Sequence, residues 1–443
     1  MKSTINKFLR TYLNNKILYS ILLIYIVSCI VTLFGAFLID KPVVFSDALG
    51  DYFVNYQAGF IRRGLTGELF YHIYGLTGIH LSILIKSISL CCIFLLVFLM
   101  IKIMVKKKMS FYLILLPITG VAILFQHPNF AGFRKDSLFL VVFIACIYLI
   151  KKLGTIKYKF VVLLLINICG SFVILIHEAT AFFFIPILYV CILSIYYKQY
   201  SLVQSALVST IVMLPIFISF IACVIFKGNE NMAIQIWESW TPYFQRFDLT
   251  SLNTPLNQST TFSSLGWSTE FAIHKHISIN FLSKQYGIPS ALFWPIIFIL
   301  FYSLLLRANK VKIGKVNEKE FNQVVFSEII IFQFLCMLPL FIFLSCDYSR
   351  LFLYWSITSI TPYCILPESF LKKIFPSFFE RINRNLVKAS NKISFLDNTK
   401  IYIIITLIMG ISASHFNIVD GISDSVIGTP ISLLIEIIEK FIA

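Results

Sequence analysis

Three stretches of this chain, residues 17–39, 179–197 and 201–226, contain no Asp, Glu, Lys or Arg. Each is long enough to cross the hydrocarbon core of a bilayer, which takes about 20 apolar residues in a helix. Inside lipid, every backbone N–H and C=O must find a partner within the protein, so only helices or closed barrels can span. A barrel would show short alternating segments. These runs are continuous, and 58% of all residues are hydrophobic, with a mean hydropathy of +0.86. The fold class expected is therefore all-α, a polytopic helical integral membrane protein.

Reading the apolar runs in order gives about eleven transmembrane spans. They lie near 17–39, 81–101, 110–126, 137–150, 160–176, 179–197, 201–226, 290–306, 323–345, 351–366 and 401–416. Lys and Arg gather in alternate connections: the N-terminus, 102–108, 151–159, 307–322 and 367–400. The positive-inside rule makes those connections, and the N-terminus with them, cytoplasmic. Segments 40–80 and 227–289 are then external, and 367–400 is the largest cytoplasmic loop. The tail from Pro430 is too short to cross easily and reads as an external interfacial helix. One membrane-embedded domain, 1–443, accounts for the chain. The basic N-terminus leads into 17–39 with no small-residue cleavage site after it, which reads as an uncleaved first span.

Most of the formal net charge of +16 is explained by this cytoplasmic bias, and no nucleic-acid partner is implied. The ten Cys fall almost entirely within apolar runs, with no CxxC pair, as small core residues do. Gly314-Lys315 lacks the upstream glycine and the following Ser/Thr of a P-loop, and no cytoplasmic segment is long enough for a nucleotide-binding domain. No metal site and no cofactor are implied.

The external face carries most of the acids and all seven His. Its charges cluster at the ends of separate spans. Asp47, Asp51, Arg62, Arg63 and Glu68 lie in DALGDYFVNYQAGFIRRGLTGE; Arg134, Lys135 and Asp136 form a second cluster. His177-Glu178 is a third, and Asp347 with Arg350 a fourth. Charges at a membrane edge are expensive, so several at one level suggest a working site. Helix–helix ion pairing is the alternative for each cluster taken singly. Gly59, Gly64 and Gly67 allow close backbone approach, and the loop around them reads as one wall of a site for an anionic, lipid-linked substrate. In 227–289, Ala233, Trp237, Trp240, Phe244 and Phe247 recur at helical spacing, interrupted by Pro242. This predicts an external amphipathic helix that kinks or restarts at the proline. Trp237 and Trp240 are candidate platforms for sugar faces, against a purely interfacial role for such aromatics.

NYQAGFIRRGLTGE, FRKD, HE and DYSR, set in a polytopic chain with a charged first external loop and a long later one, resemble the Wzy-type polysaccharide polymerases. The pattern is also similar to the broader GT-C membrane glycosyltransferases. That resemblance implies a GT-C-like bundle in the bacterial inner membrane. It implies polymerisation of undecaprenyl-diphosphate-linked repeat units of O-antigen or capsule on the periplasmic face. The implied partners are the polyprenyl-diphosphate-linked glycan, membrane lipid, and a chain-length regulator or flippase of the same pathway. A GT-C transferase using a polyprenyl-phosphate sugar donor, or a flippase of lipid-linked glycans, remains open beside it. Asp47 and Asp51 are spaced i, i+4 where a metal-using GT-C enzyme has Asp-x-Asp.

With a diphosphate donor, no ATP is needed, and arginine forks suit the charge that develops on the leaving group. Arg62, Arg63, Arg134 and Arg350 are the phosphate candidates, with Lys135, His177 and Glu68 beside them at the substrate. Asp47, Asp51, Glu178 and Asp347 are the candidates for taking the acceptor proton. Adjacent helical residues point about 100° apart. One of Arg62 and Arg63 is thus expected on phosphate, and the other on an acid such as Asp51 or Glu68.

Overall fold

The computed structural model describes residues 27, 47–107, 109, 133–153, 159–247, 262, 264–282, 287–307, 322–345, 348–372, 374–398, 401, 402 and 405. All regular structure among them is helical. Four stretches are long and apolar enough to cross a membrane: Leu81–Lys106, Lys159–Ile176, Glu178–Tyr196 and Gln323–Leu344. A bent pair makes a fifth if counted as one span. The expected spans at 17–39, 110–126 and most of 401–416 lie outside the described residues.

The α-helices of six or more residues are, in order, α1 Gly64–Thr77, α2 Leu81–Lys106, α3 Asp136–Leu153, α4 Lys159–Ile176, α5 Ala181–Tyr196, α6 Leu202–Val212 and α7 Leu214–Ile225. After these come α8 Glu230–Ser239, α9 Thr241–Arg246, α10 Thr269–Ile277, α11 Gly287–Leu306, α12 Gln323–Pro339, α13 Tyr348–Ile365 and α14 Ser377–Asn391. Helix α3 packs between α2 and α4, α7 lies along α4, and α12 packs on α13 and α14. Helices α2, α3 and α13 all begin at the end of the bundle where α4 finishes. The lysine-rich ends, Lys106, Lys151, Lys152 and Lys159, therefore lie opposite the acidic and arginine-bearing ends.

Local chemistry sets the breaks. Ser201 and Gln204 form a capping box that starts α6. Pro215 has no N–H, so the helical ladder stops and α7 restarts at an angle of 63° to α6. The break leaves the Val212 carbonyl without a helical partner, and the Asn167 amide from α4 donates to it at 2.9 Å. Such a carbonyl, left unpaired in lipid, would cost several kcal/mol. Asn322 caps α12 by accepting from the N–H groups of both Val324 and Val325.

Helices α8 and α9 pack their aromatic side chains on the 47–80 segment, and the restart at Thr241–Pro242 is where the proline placed it. Trp240 sits at this junction with no exposed surface. Its indole N–H donates to the Phe53 carbonyl at 2.7 Å, and its ring meets Phe53 and Tyr71 edge-on. A tryptophan with every face covered by protein has none to offer a sugar. Trp240 is therefore an anchor between 47–80 and α8–α9, a correction to its reading as a platform. Trp237 is half-buried against Phe244 and Phe262.

The first loop folds back over α1. A Cβ on Gly67 would stand 1.9 Å from the Val54 carbonyl oxygen, and one on Gly64 would stand 2.2 Å from the Tyr56 ring. Glu68 accepts from the Tyr56 N–H at 2.8 Å and from the Gln57 amide at 3.0 Å, closing the loop. Gly67→Ala is expected to cost about 3 kcal/mol or more, because backbone and not a movable side chain must give way. Gly75→Ala, with nothing within 4 Å of its added Cβ, is the matched control and should be neutral or slightly stabilising. Membrane abundance and thermal midpoint in detergent measure the contrast; equal behaviour would refute the close approach.

Candidate functional site

The four charged clusters expected from the sequence meet at one end of the bundle. Arg63 forms a fork on Glu178, Nε to Oε2 at 2.9 Å and Nη2 to Oε1 at 2.7 Å. Lys135 Nζ lies 3.1 Å from Asp51 Oδ2. Arg350 forks on Asp136, with Nε and Nη2 each 2.7 Å from a carboxylate oxygen. The charge of Asp51 reaches Arg63, Lys135 and His177, so the pairs form one connected electrostatic group.

Local structure places each member. Arg63 immediately precedes α1 with φ of 65°, the one described non-glycine residue in the left-handed region. Such a conformation costs of order 1 kcal/mol and is held here by the Glu178 fork. Arg62, next to it, is tied through its backbone N–H to the Phe226 carbonyl at 2.9 Å, at the end of α7. Its side chain makes only a loose 3.5 Å approach to Glu178 Oε1 and a 3.2 Å bond to the Ser264 carbonyl. Its Nε is buried without a partner. The two adjacent arginines thus differ in kind. The acid that pairs with Arg63 is Glu178, rather than the expected Asp51 or Glu68. Glu68 is occupied by its own loop and by His72 at 2.9 Å.

The carboxylates also differ. Both oxygens of Glu178 are taken by arginine, and both oxygens of Asp136 by Arg350. Asp51 uses Oδ2 on Lys135 and leaves Oδ1 buried with no partner. Burial alone would raise the Asp51 carboxyl, but Lys135, with Arg63 and His177, outweighs it and holds the group below its ordinary value. Lys135 is itself 1% exposed, between Asp51, the Ile176 carbonyl at 3.5 Å and the Tyr52 ring at 5.3 Å. It neutralises Asp51 and is itself enclosed by protein. Arg134 stands one residue before it, half-buried, and adds its charge to the field at Asp136. The side chains of Asp47 and Asp347 lie outside the described residues.

His177 links α4 to α5. Its Nδ1 accepts from the Ala179 N–H at 3.3 Å, which leaves the proton of the neutral ring on Nε2. Burial, then the nearby Arg63, pushes its pKa down to about 4. The ring is neutral at physiological pH, with its donor on Nε2. Because the folded value lies below the ordinary 6.5 of histidine, its contribution to stability is present above about pH 6.5. That contribution is lost as pH falls toward 4. The thermal midpoint of the wild type should therefore drop more steeply between pH 6.5 and 4 than that of His177→Asn, which keeps an acceptor for Ala179 and cannot protonate. Parallel curves would mean the imidazole is not held neutral.

Sequence reasoning missed the supports. Tyr52 holds Ser89 on α2 at 3.1 Å, and Ser89 donates to the Phe133 carbonyl at 3.1 Å, fixing the turn that carries Arg134–Asp136. Buried hydroxyls of this kind give no charge signal in a sequence. Ser264 meets Arg62 through its carbonyl, which no residue type announces.

No protein family, curated protein or solved structure matches this chain.

Proposed function

We propose that this is a membrane glycosyltransferase that polymerises polyprenyl-diphosphate-linked oligosaccharide repeat units, of the O-antigen or capsule type. In this reading it is an eleven-span, GT-C-like bundle in a bacterial inner membrane, with a cytoplasmic N-terminus and the charged cluster facing the periplasm. One observation carries the proposal. Within the tightly paired ionic cluster at the bundle end, Arg62 is only loosely engaged and its Nε, like Asp51 Oδ1, is buried without a hydrogen-bond partner.

Arg62 suits the departing diphosphate, whose negative charge grows as the anomeric C–O bond breaks. Asp51 Oδ1 suits the proton of the acceptor hydroxyl, whose oxygen forms the new glycosidic bond. His177 Nε2–H offers a further donor to a sugar or phosphate oxygen. Arg63, Lys135, Asp136 and Arg350 hold these groups in place through their pairs. Lipid and the glycan carrier are the partners in this reading, with a chain-length regulator or flippase beside them.

A second reading has one observation in its favour. The 63° break between α6 and α7, with Asn167 satisfying a freed carbonyl, resembles the discontinuous helices of transporters, so a lipid-linked glycan flippase is the runner-up. Gene deletion followed by gel analysis of surface glycan separates the two. Glycan capped at a single repeat supports the polymerase. Loss of all surface glycan supports the flippase or a GT-C transferase with a polyprenyl-phosphate donor, and unchanged glycan overturns every one of these readings.

A further inference from the structure

At the opposite end of the bundle, α14 carries an apolar arc wider than the neighbour that covers it. The helix packs on α12 through Asn383, Val387 and Ser390, all buried. Asn383 Oδ1 accepts from Ser327 at 2.7 Å, and the Ser390 carbonyl accepts from the fully buried Arg307 at 2.7 Å. At about 100° per residue, Phe378, Ile382 and Ala389 fall on a strip beside this buried face and not on it. Phe378 is 63% exposed and Ile382 48%. On the far flank of the strip lie Arg381 and Lys388, also exposed, and Lys392 follows the helix end. The acids nearby are already engaged: Glu380 with Arg384, Glu368 with Lys372, and Asp397 with Arg307.

The depth of α14 along the bundle says what meets this strip. Asn322, the first capping residue of α12, holds Glu368 at 2.9 Å. Phe332, ten residues further on, meets Phe375 with ring centres 5.3 Å apart. Ten helical residues rise about 15 Å. The segment leading into α14 therefore lies along the side of a helix apolar enough to cross a membrane, at the depth of its first three turns.

We infer that the outward strip of α14 is a contact for an anionic bilayer surface. Phe378 and Ile382 enter the acyl boundary, and Arg381, Lys388 and Lys392 meet anionic headgroups. The inference is independent of any chemistry at the charged cluster. Charge complementarity favours anionic lipid over a second copy of this chain, whose α14 would bring the same three cations.

The test uses the full-length protein in nanodiscs of phosphatidylcholine alone, or with phosphatidylglycerol added, followed by hydrogen-exchange mass spectrometry. Exchange across 377–391 should slow by about fivefold or more when phosphatidylglycerol is present, the effect of even one of the three basic groups near a charged surface. A variant with Arg381→Gln, Lys388→Gln and Lys392→Gln should lose that dependence and keep wild-type exchange in phosphatidylcholine. Equal wild-type exchange in the two lipids overturns the inference, and this comparison stands even if the variant fails to fold. Protection that rises with protein-to-disc ratio instead of anionic lipid would assign the strip to a second copy and also overturns it.

Discussion

Arg62→Lys should reduce glycan elongation by about a hundredfold or more while leaving membrane abundance near wild type. The chemical half of this expectation comes from geometry. Arg62 has spare N–H groups, a loose approach to Glu178 and a buried Nε without a partner. A donor aimed at charge that develops in a transition state is worth about 3–4 kcal/mol. Lysine keeps the charge and loses the planar fork that matches phosphate oxygens. The structural half comes from the backbone: the bond that ties position 62 to Phe226 uses the N–H, which every substitution but proline retains. Arg63 should behave in the opposite way. Arg63→Ala strips Glu178 of its fork, and an uncompensated buried charge costs about 3–5 kcal/mol, enough to lower abundance in a fold of marginal stability. Arg63→Lys, which keeps the charge, should retain most abundance. Chain length on gels and immunoblot abundance, measured for Lys and Ala variants at both positions, give the answer. Normal length and abundance in all four variants would remove this loop from the site.

Asp51→Asn should abolish elongation and lower abundance together, and the value of the experiment lies in separating those effects. The substitution leaves Lys135 buried without its paired counter-charge, beside the Ile176 carbonyl and the Tyr52 ring. That again costs about 3–5 kcal/mol. Lys135→Met alone should be as damaging to abundance, because it strands Asp51. Asp51→Asn combined with Lys135→Met removes both charges and fills the lysine stem's volume, so abundance should recover by most of that amount. A buried pair replaced by neutral groups of similar size is often no less stable. Elongation should stay lost in the double variant if Asp51 Oδ1 takes the acceptor proton. Recovery of elongation along with abundance would reduce the pair to a structural clamp and leave the base elsewhere.

Parts of this arrangement were legible in the chain as written. Charge-free runs such as 201–226 leave no alternative to helices in lipid, because unpaired backbone is too costly there. Pro242 marks where a helix restarts, since a missing N–H acts locally whatever surrounds it, whereas the break at Pro215 lies inside a run that reads as one continuous span. The clusters around Arg62, Lys135, Glu178 and Arg350 stood out because charge is rare in such a composition.

The partners of those charges were a different matter. Either of two neighbouring arginines could have taken a fork, and Asp51 and Glu68 were nearer in sequence than Glu178. Helix packing decided it, by bringing the turn between α4 and α5 against Arg63 across 115 positions, and Asp136 against Arg350 across 214. The same packing covered every face of Trp240, whose identity alone suited an exposed platform as well as a buried anchor. Hydropathy and helix-breaking chemistry act within a few residues and can be read along the chain. Ion-pair partners and the burial of a ring depend on which helix faces meet, and only the tertiary structure decides that.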